Sequence, residues 1–266
     1  MSIETEVNHE KLMELFGNVF NDVAGSMAIM MSYLGDQTGV YQAMDKLGSA
    51  SVGEIAKEAN VNERYLLEWL SSNAGRGYVT YNDEIDEFSL TPEQAAVFAR
   101  ENEPTCIQGL IQGVVGQFVK EDTAVEVFKT GRGRPWGEHH ECCFCGTERF
   151  FRPAYAGHLL DEWIPAMDGV EDKLKNGAKV ADIGCGLGTS SMLMAEQYPN
   201  SIIHAFDFHE PSIDEARKRA KEKGLTNLEF FVSDAGSIPQ ESYDLACIFD
   251  AWHDMGDPVG IAKSIK

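Results

Sequence analysis

In Val180-Ala181-Asp182-Ile183-Gly184-Cys185-Gly186-Leu187-Gly188, a largely apolar run stops in glycines at alternate positions. The run reads as a buried strand, the glycines as a tight turn, and Thr189 as the start of a helix. A second strand, Ile202-Ile203-His204-Ala205-Phe206-Asp207, ends on an acid. A helix from Pro211 to about Lys223, closed by Gly224, leads to a strand at Leu228 to Val232 and then to Asp234. A further strand, Tyr243 to Phe249, ends at Asp250. Strands alternating with helices predict an open α/β sheet whose strands end along one crevice, so Asp182, Asp207, Asp234 and Asp250 are all expected to point into it.

The glycine spacing narrows the ligand. A dinucleotide turn needs G-x-G-x-x-G, with helix-terminal amides on a pyrophosphate. Here the third glycine comes one residue early, at Gly188, and Thr189 stands where that pattern wants glycine. The spacing suits a ligand without phosphates, laid against side-chain-free backbone at Gly184 and Gly186. A tight strand-to-helix connection with capping or turn aspartates is the plainer alternative. Asp207 and Asp234 in register at successive strand ends favour a ligand.

These segments closely resemble the class I S-adenosylmethionine-dependent methyltransferases. VADIGCGLG is similar to their first motif, HAFDFH to the second, SDAGSIP to the third and YDLACIFDAWHD to the fourth. The resemblance implies a Rossmann-like sheet and S-adenosyl-L-methionine as cofactor, with Asp182, Gly184, Gly186 and Gly188 in the cofactor site. Gly184 and Gly186 would face the methionine part, and Asp207 would accept both ribose hydroxyls with Phe208 against the adenine. Asp234 would take the adenine amino group, the Ala235 amide a ring nitrogen, and Phe249 and Asp250 would border the sulfonium. A carboxylate suits a cis-diol and an apolar ring suits adenine.

Residues 1–105 read as a mainly helical winged-helix domain. An apolar helical stretch from about Phe20 to Tyr41, interrupted by Gly35 and Gly39, precedes a short helix at Ser51–Ala59 capped by Ser51. A second helix spans Asn62 to Leu70, and strands at Gly77–Tyr81 and Glu87–Leu90 form a wing. Winged helices commonly bind DNA. This one offers Glu63, Glu68 and only Arg64 on its second helix, with Asp83, Glu84, Asp86 and Glu87 on the wing, a surface that repels phosphate. The order of the two domains resembles small-molecule O-methyltransferases, with NERYLLEWL, ERFFRPAYAGHLLDEWIPAMDGV and FDAWHDMGDPVG most like a bacterial subset. That family implies homodimer formation through this domain.

The chain carries 22 basic against 43 acidic side chains, a net charge of −21, which argues against nucleic acid as substrate and against anionic membranes. No apolar run reaches membrane-spanning length, and the N-terminus lacks a signal-peptide layout, so a cytoplasmic enzyme is expected. The unevenly spaced cysteines (106, 142, 143, 145, 185 and 247) then read as reduced thiols.

Residues 106–176 are expected to hold connecting helices and the acceptor pocket, ahead of a cofactor domain at 177–266. Cys106 to about Lys129 reads as one apolar helix, residues 131–137 as a flexible turn, and Phe150 to Met167 as a helix interrupted near Pro153 and Pro165. A linker, Asp168 to Ala178, precedes the first strand. Trp136, Phe150, Phe151, Tyr155 and Trp163 are candidate pocket aromatics, with ordinary core packing as the rival reading. His139-His140-Glu141-Cys142-Cys143-Phe144-Cys145 invites a metal, but no second well-spaced ligand pair accompanies it. A pocket-lining loop is expected there instead, with His139 or His140 as a rival base and no metal.

Methyl transfer to a hydroxyl gains from a general base, and His253, just past the fourth strand, is the candidate. In plant-type O-methyltransferases a His-Asp pair supplies the base, and His253-Asp254 matches it; further orienting acids of that family come from later segments than Lys266. Asp254 is otherwise expected to hold the cofactor or to cap the helix ahead of Pro258. The expected function is methyl transfer to a small-molecule acceptor. A cofactor-sensing regulator and a nicotinamide oxidoreductase are the alternatives. Four strands of an expected seven can be read, which suggests a piece of a longer protein.

Overall fold

The computed structural model describes residues 7–238 and 243–265, so Pro239, which ends the third motif, lies outside the described residues. The chain divides into two compact units, Met1–Val115 and Gly116–Lys266.

The first unit opens on a long helix, α1 (His9–Gln37), capped by Asn8, whose Oδ1 accepts from the Lys11 amide. Gly35 does not interrupt it. A Cβ at that position would overlap the Trp69 ring, so this glycine makes room for packing, and the helix stops instead at Thr38 and Gly39. Short helices α2 (Val40–Leu47), α3 (Val52–Ala59) and α4 (Glu63–Gly75) follow. Ser51 and Glu54 close a capping box on α3, and the Asn62 side chain caps α4. The antiparallel wing, β1 (Thr80–Asn82) and β2 (Glu87–Ser89), turns through Asp86 and leads to α5 (Pro92–Phe98).

Tyr41 centres the core of this unit. Its ring lies 5.0 Å from those of both Trp69 and Phe98, and burial pushes its phenol up to about 12. Only four α1 residues, Ala28, Ser32, Gly35 and Asp36, are buried. Leu12, Phe16, Val19, Phe20, Val23 and Met27 leave an exposed apolar stripe along the rest.

The boundary between units falls within α6 (Gln108–Val119). The single helix expected for residues 106–129 is in fact two: α7 (Glu121–Thr130) starts after Lys120, which leaves helical geometry at φ −108, ψ 35. After a 3-10 turn at Trp136–Glu138 comes α8 (Glu141–Ala154). The loop expected at 139–145 is thus largely helix. His140 Nδ1 accepts from the Cys142 amide at 3.2 Å and caps it, a role that reads like a ligand cluster in sequence. Pro153 does not break α8, because the chain widens into a π-helical segment, Tyr155–Trp163, that absorbs the lost ladder bond. The expected linker contains a helix, α9 (Val170–Asn176).

The sheet of this unit follows: β3 (Lys179–Ile183), α10 (Thr189–Gln197), β4 (Ile202–Asp207), α11 (Glu210–Glu222), β5 (Leu228–Val232) and β6 (Leu245–Cys247). A 3-10 turn at Trp252–Asp254 and α12 (Pro258–Ser264) complete it. All pairings are parallel, in the order β5-β4-β3-β6. The chain winds outward through β4 and β5, then returns to the far side of β3, so a switch point opens beyond the end of β3. The register places Ile183 beside Phe206 and Asp207 beside Val232, so the glycine turn and the acid tips emerge on one edge. Val180, Ile203, Met194 and Leu174 pack one side, with Ala205, Ile213, Ala216 and Phe230 in a separate cluster.

Candidate functional site

A cavity of about 760 Å³ opens at that edge, lined entirely by residues of the second unit. The three glycines of the turn have different jobs. The Gly184 and Cys185 amides both donate to the Phe206 carbonyl, at 2.8 and 3.0 Å, which bends the chain away from the sheet. A Cβ on Gly186 would meet nothing within 4 Å, so bare backbone faces open space there. Gly188 does not line the cavity; at φ +77 its missing Cβ would stand 2.7 Å from Phe230 and 3.2 Å from Ala216. Gly188→Ala is therefore expected to destabilise the fold by about 2–4 kcal/mol, through backbone strain plus overpacking, as read by denaturant unfolding. An unchanged midpoint would remove that packing role.

Asp182 also lies outside the lining. Strand side chains alternate faces, and this one turns inward, fully buried, where its Oδ2 accepts from Ser190 and Ser191 hydroxyls at 2.7 and 2.6 Å. Burial pushes its carboxyl above the usual carboxylate range against the pull of those two serines. Its position ties β3 to the first turn of α10 and so shapes the glycine turn from beneath.

Asp207 is buried at the tip of β4. Its Oδ2 accepts the Gly186 amide at 2.9 Å and its Oδ1 the His209 amide at 2.8 Å, leaving each oxygen one further lone pair for a ligand. Phe208 next to it is 54% exposed, a ring offered to the cavity. Asp234 Oδ1 accepts the Gly236 amide at 2.9 Å; a Ser237 hydrogen bond leads the effects that hold its carboxyl below the usual range. Ala235, Phe249 and Asp250 complete this part of the lining, and Asp250 adopts a left-handed backbone at φ 51.

Past β6, His253 and Asp254 line the cavity from the 3-10 turn. His253 Nδ1 lies 3.2 Å from Asp254 Oδ1 and Nε2 lies 3.4 Å from Asp250 Oδ1, so carboxylates flank both ring nitrogens. Sequence reasoning paired His253 with Asp254 alone; the second partner depends on the backbone turn at Asp250. Asp254 does not cap the following helix. Asp257 does, through the Gly260 amide.

Further lining comes from α6, the 131–139 segment, α8 and the π-helical segment. Trp136, Phe151 and Tyr155 line the cavity, whereas Phe150 and Trp163 do not. Burial raises the Tyr155 phenol, so it stays protonated at neutral pH. Burial likewise holds His139 below its ordinary value, and nearby Arg134 adds to the effect. Gln117, Arg134 and Glu148 line the cavity without having been singled out, whereas Phe144 belongs to the run expected to line it. Glu148 lay within the ERFFRP motif, and it accepts from Thr189 Oγ1 at 2.8 Å at the head of α10.

Residues 174–266 match the family model described as a methyltransferase domain, and residues 25–100 match that of the Rv2258c-like winged HTH domain. A ubiquinone biosynthesis O-methyltransferase of Actinobacillus pleuropneumoniae serotype 7 is 32% identical over 117 residues, 41% of this chain and 48% of that protein. The aklanonic acid methyltransferase DauC of a Streptomyces species is 40% identical over 72 residues, 26% of this chain and 33% of that protein. A tRNA (guanine-N(7)-)-methyltransferase of Hydrogenovibrio crunogenus is 32% identical over 99 residues, 32% of this chain and 41% of that protein. The chain thus spans half or less of the length of these curated relatives. Among solved structures, the mitomycin 7-O-methyltransferase MmcR superposes with a TM-score of 0.68 at 17% identity, over 97% of this chain and 78% of that one. PigF with SAH gives 0.68 at 17% identity, over 94% and 76%. At such identities the likeness establishes a shared fold.

Proposed function

The chain joins an Rv2258c-like winged helix-turn-helix domain to a methyltransferase domain, and from that premise we propose that it transfers a methyl group from S-adenosylmethionine to a hydroxyl of a small molecule. The donor's sulfonium supplies an already activated methyl, so the protein's task is alignment and exclusion of water. Asp207 carries this reading: a buried carboxylate with two lone pairs still free, beside a glycine turn and an exposed ring, suits a ribose diol and its base. Gly186 leaves room for the methionine end. Asp234 and the Ala235 amide suit the adenine edge, and Phe249 with Asp250 suits the sulfonium end.

His253 takes the acceptor's proton on one ring nitrogen while the carboxylate beside the other holds the ring. Calorimetry is expected to give micromolar binding of S-adenosylhomocysteine and none of NAD, the reverse of which would overturn the assignment.

The surface supports a small acceptor rather than nucleic acid. Arg64 is already paired with Glu68 at 2.6 Å, and the wing is acidic. No helix among the described residues is long and apolar enough to cross a membrane, and the six free cysteines suit a reducing, cytoplasmic setting. The apolar stripe on α1 supports a homodimer. Sedimentation at micromolar concentration should then give a dimer, and joint Phe16→Asp and Phe20→Asp substitution a monomer; a monomeric parent chain would refute it.

A further inference from the structure

The acids of this chain outnumber its bases about two to one, and most of its arginines have found carboxylates. Arg64, Arg100, Arg132, Arg217 and Arg219 each hold an ion pair, Arg132 with both Glu126 and Glu138. Arg134, two residues further on, has no ion-pair partner among the described residues, although it lines a cavity that also holds Glu148, Asp207, Asp234, Asp250 and Asp254.

Its guanidinium is moored rather than neutralised. Nη2 donates to the Lys120 carbonyl at 3.1 Å and Nη1 approaches Gln117 Oε1 at 3.4 Å, both on the α6 side. Nε is sealed from solvent and meets no acceptor. Nη1 and Nη2 each keep a second N–H beyond the bonds to Gln117 and Lys120, and the planar fork they form matches a carboxylate. No other lysine or arginine among the described residues lines the cavity. Flat rings stand close by: Trp136 lies 5.3 Å from Phe144 and 5.5 Å from the neutral-leaning His139.

We propose that Arg134 is the specificity determinant of the acceptor site, and that the acceptor is an aromatic acid whose carboxylate pairs with this guanidinium while its ring lies among Trp136 and Phe144. The assignment rests on the methyl-transfer reading above. The methionine carboxylate of the donor is the other source of the same chemistry, and the experiment separates the two.

Protein is first titrated with S-adenosylhomocysteine, then, saturated with it, with a panel of hydroxyaryl carboxylic acids and their primary amides. At least one acid is expected to bind tenfold or more tightly than its amide. Arg134→Gln should erase that gap while leaving S-adenosylhomocysteine affinity within about twofold, and Arg134→Lys should restore part of it. If no acid outbinds its amide in the parent protein, or the gap survives in Arg134→Gln, the proposal is overturned. A loss of S-adenosylhomocysteine affinity in Arg134→Gln would instead assign the guanidinium to the donor and overturn it equally. Failure of the parent protein to bind S-adenosylhomocysteine at all would remove the methyl-transfer reading itself, a distinct result from the first titration.

Discussion

Asp207→Ala is expected to weaken S-adenosylhomocysteine binding by about a hundredfold or more. Charge-assisted hydrogen bonds contribute roughly 1.5–3 kcal/mol each, and loss of two to a ribose diol comfortably exceeds the 2.7 kcal/mol of a hundredfold change. A second contribution comes from the protein itself. The same carboxylate holds the Gly186 and His209 amides, so its removal frees the glycine turn. Asp207→Asn separates the contributions, since one amide oxygen can still serve one backbone donor; it should fall between the parent and Asp207→Ala. Calorimetry reads the affinity and thermal unfolding reads the loop. Full-strength binding by a folded Asp207→Ala protein would remove this residue from the site.

His253→Ala should cut turnover by two to four orders of magnitude, the usual worth of a positioned base, with S-adenosylhomocysteine affinity nearly unchanged. His253 is 64% exposed on its turn and makes no hydrogen bond that organises the glycine loop, so a structural collapse is not expected to imitate the effect. Asp254→Asn and Asp250→Asn are expected to cost less, about tenfold each, because one carboxylate remains beside the imidazole when the other is neutralised. Both steady-state constants are needed: loss in kcat with KM held marks proton transfer, whereas loss in KM alone marks acceptor binding. Undiminished kcat in His253→Ala would take it out of the mechanism, leaving half-buried His139 as the next base to examine.

The strands and the glycine turn were legible because their signals are local. An apolar run, a glycine at positive φ and a capping side chain at Ser51 act within a few residues of themselves. The misread segments involve distant partners. Gly35 looked like a break, but Trp69, far along the chain, fills the space its side chain vacates. Pro153 looked like an interruption, but the π-helical segment accommodates it. The His and Cys run at 139–145 has a ligand-like composition, yet His140 is spent on a cap and Cys142 and Cys143 on packing.

By itself, the sequence determined the βαβ order, the glycine turn and the acids at strand tips, since strand, turn and helix preferences are properties of short stretches. Only the tertiary structure decided which of those residues face the cavity. Asp182 and Asp207 share one face of the sheet, since Asp182 pairs with Ala205, two residues before Asp207. Asp182 nevertheless sits one step back inside its strand and Asp207 at the tip of its own, where the cavity opens. Crossover connections bring Phe230 against Gly188 and Ala251 against Gly184. Parallel pairing joins strands that are remote in the chain, so which side chains meet across the sheet is settled by packing.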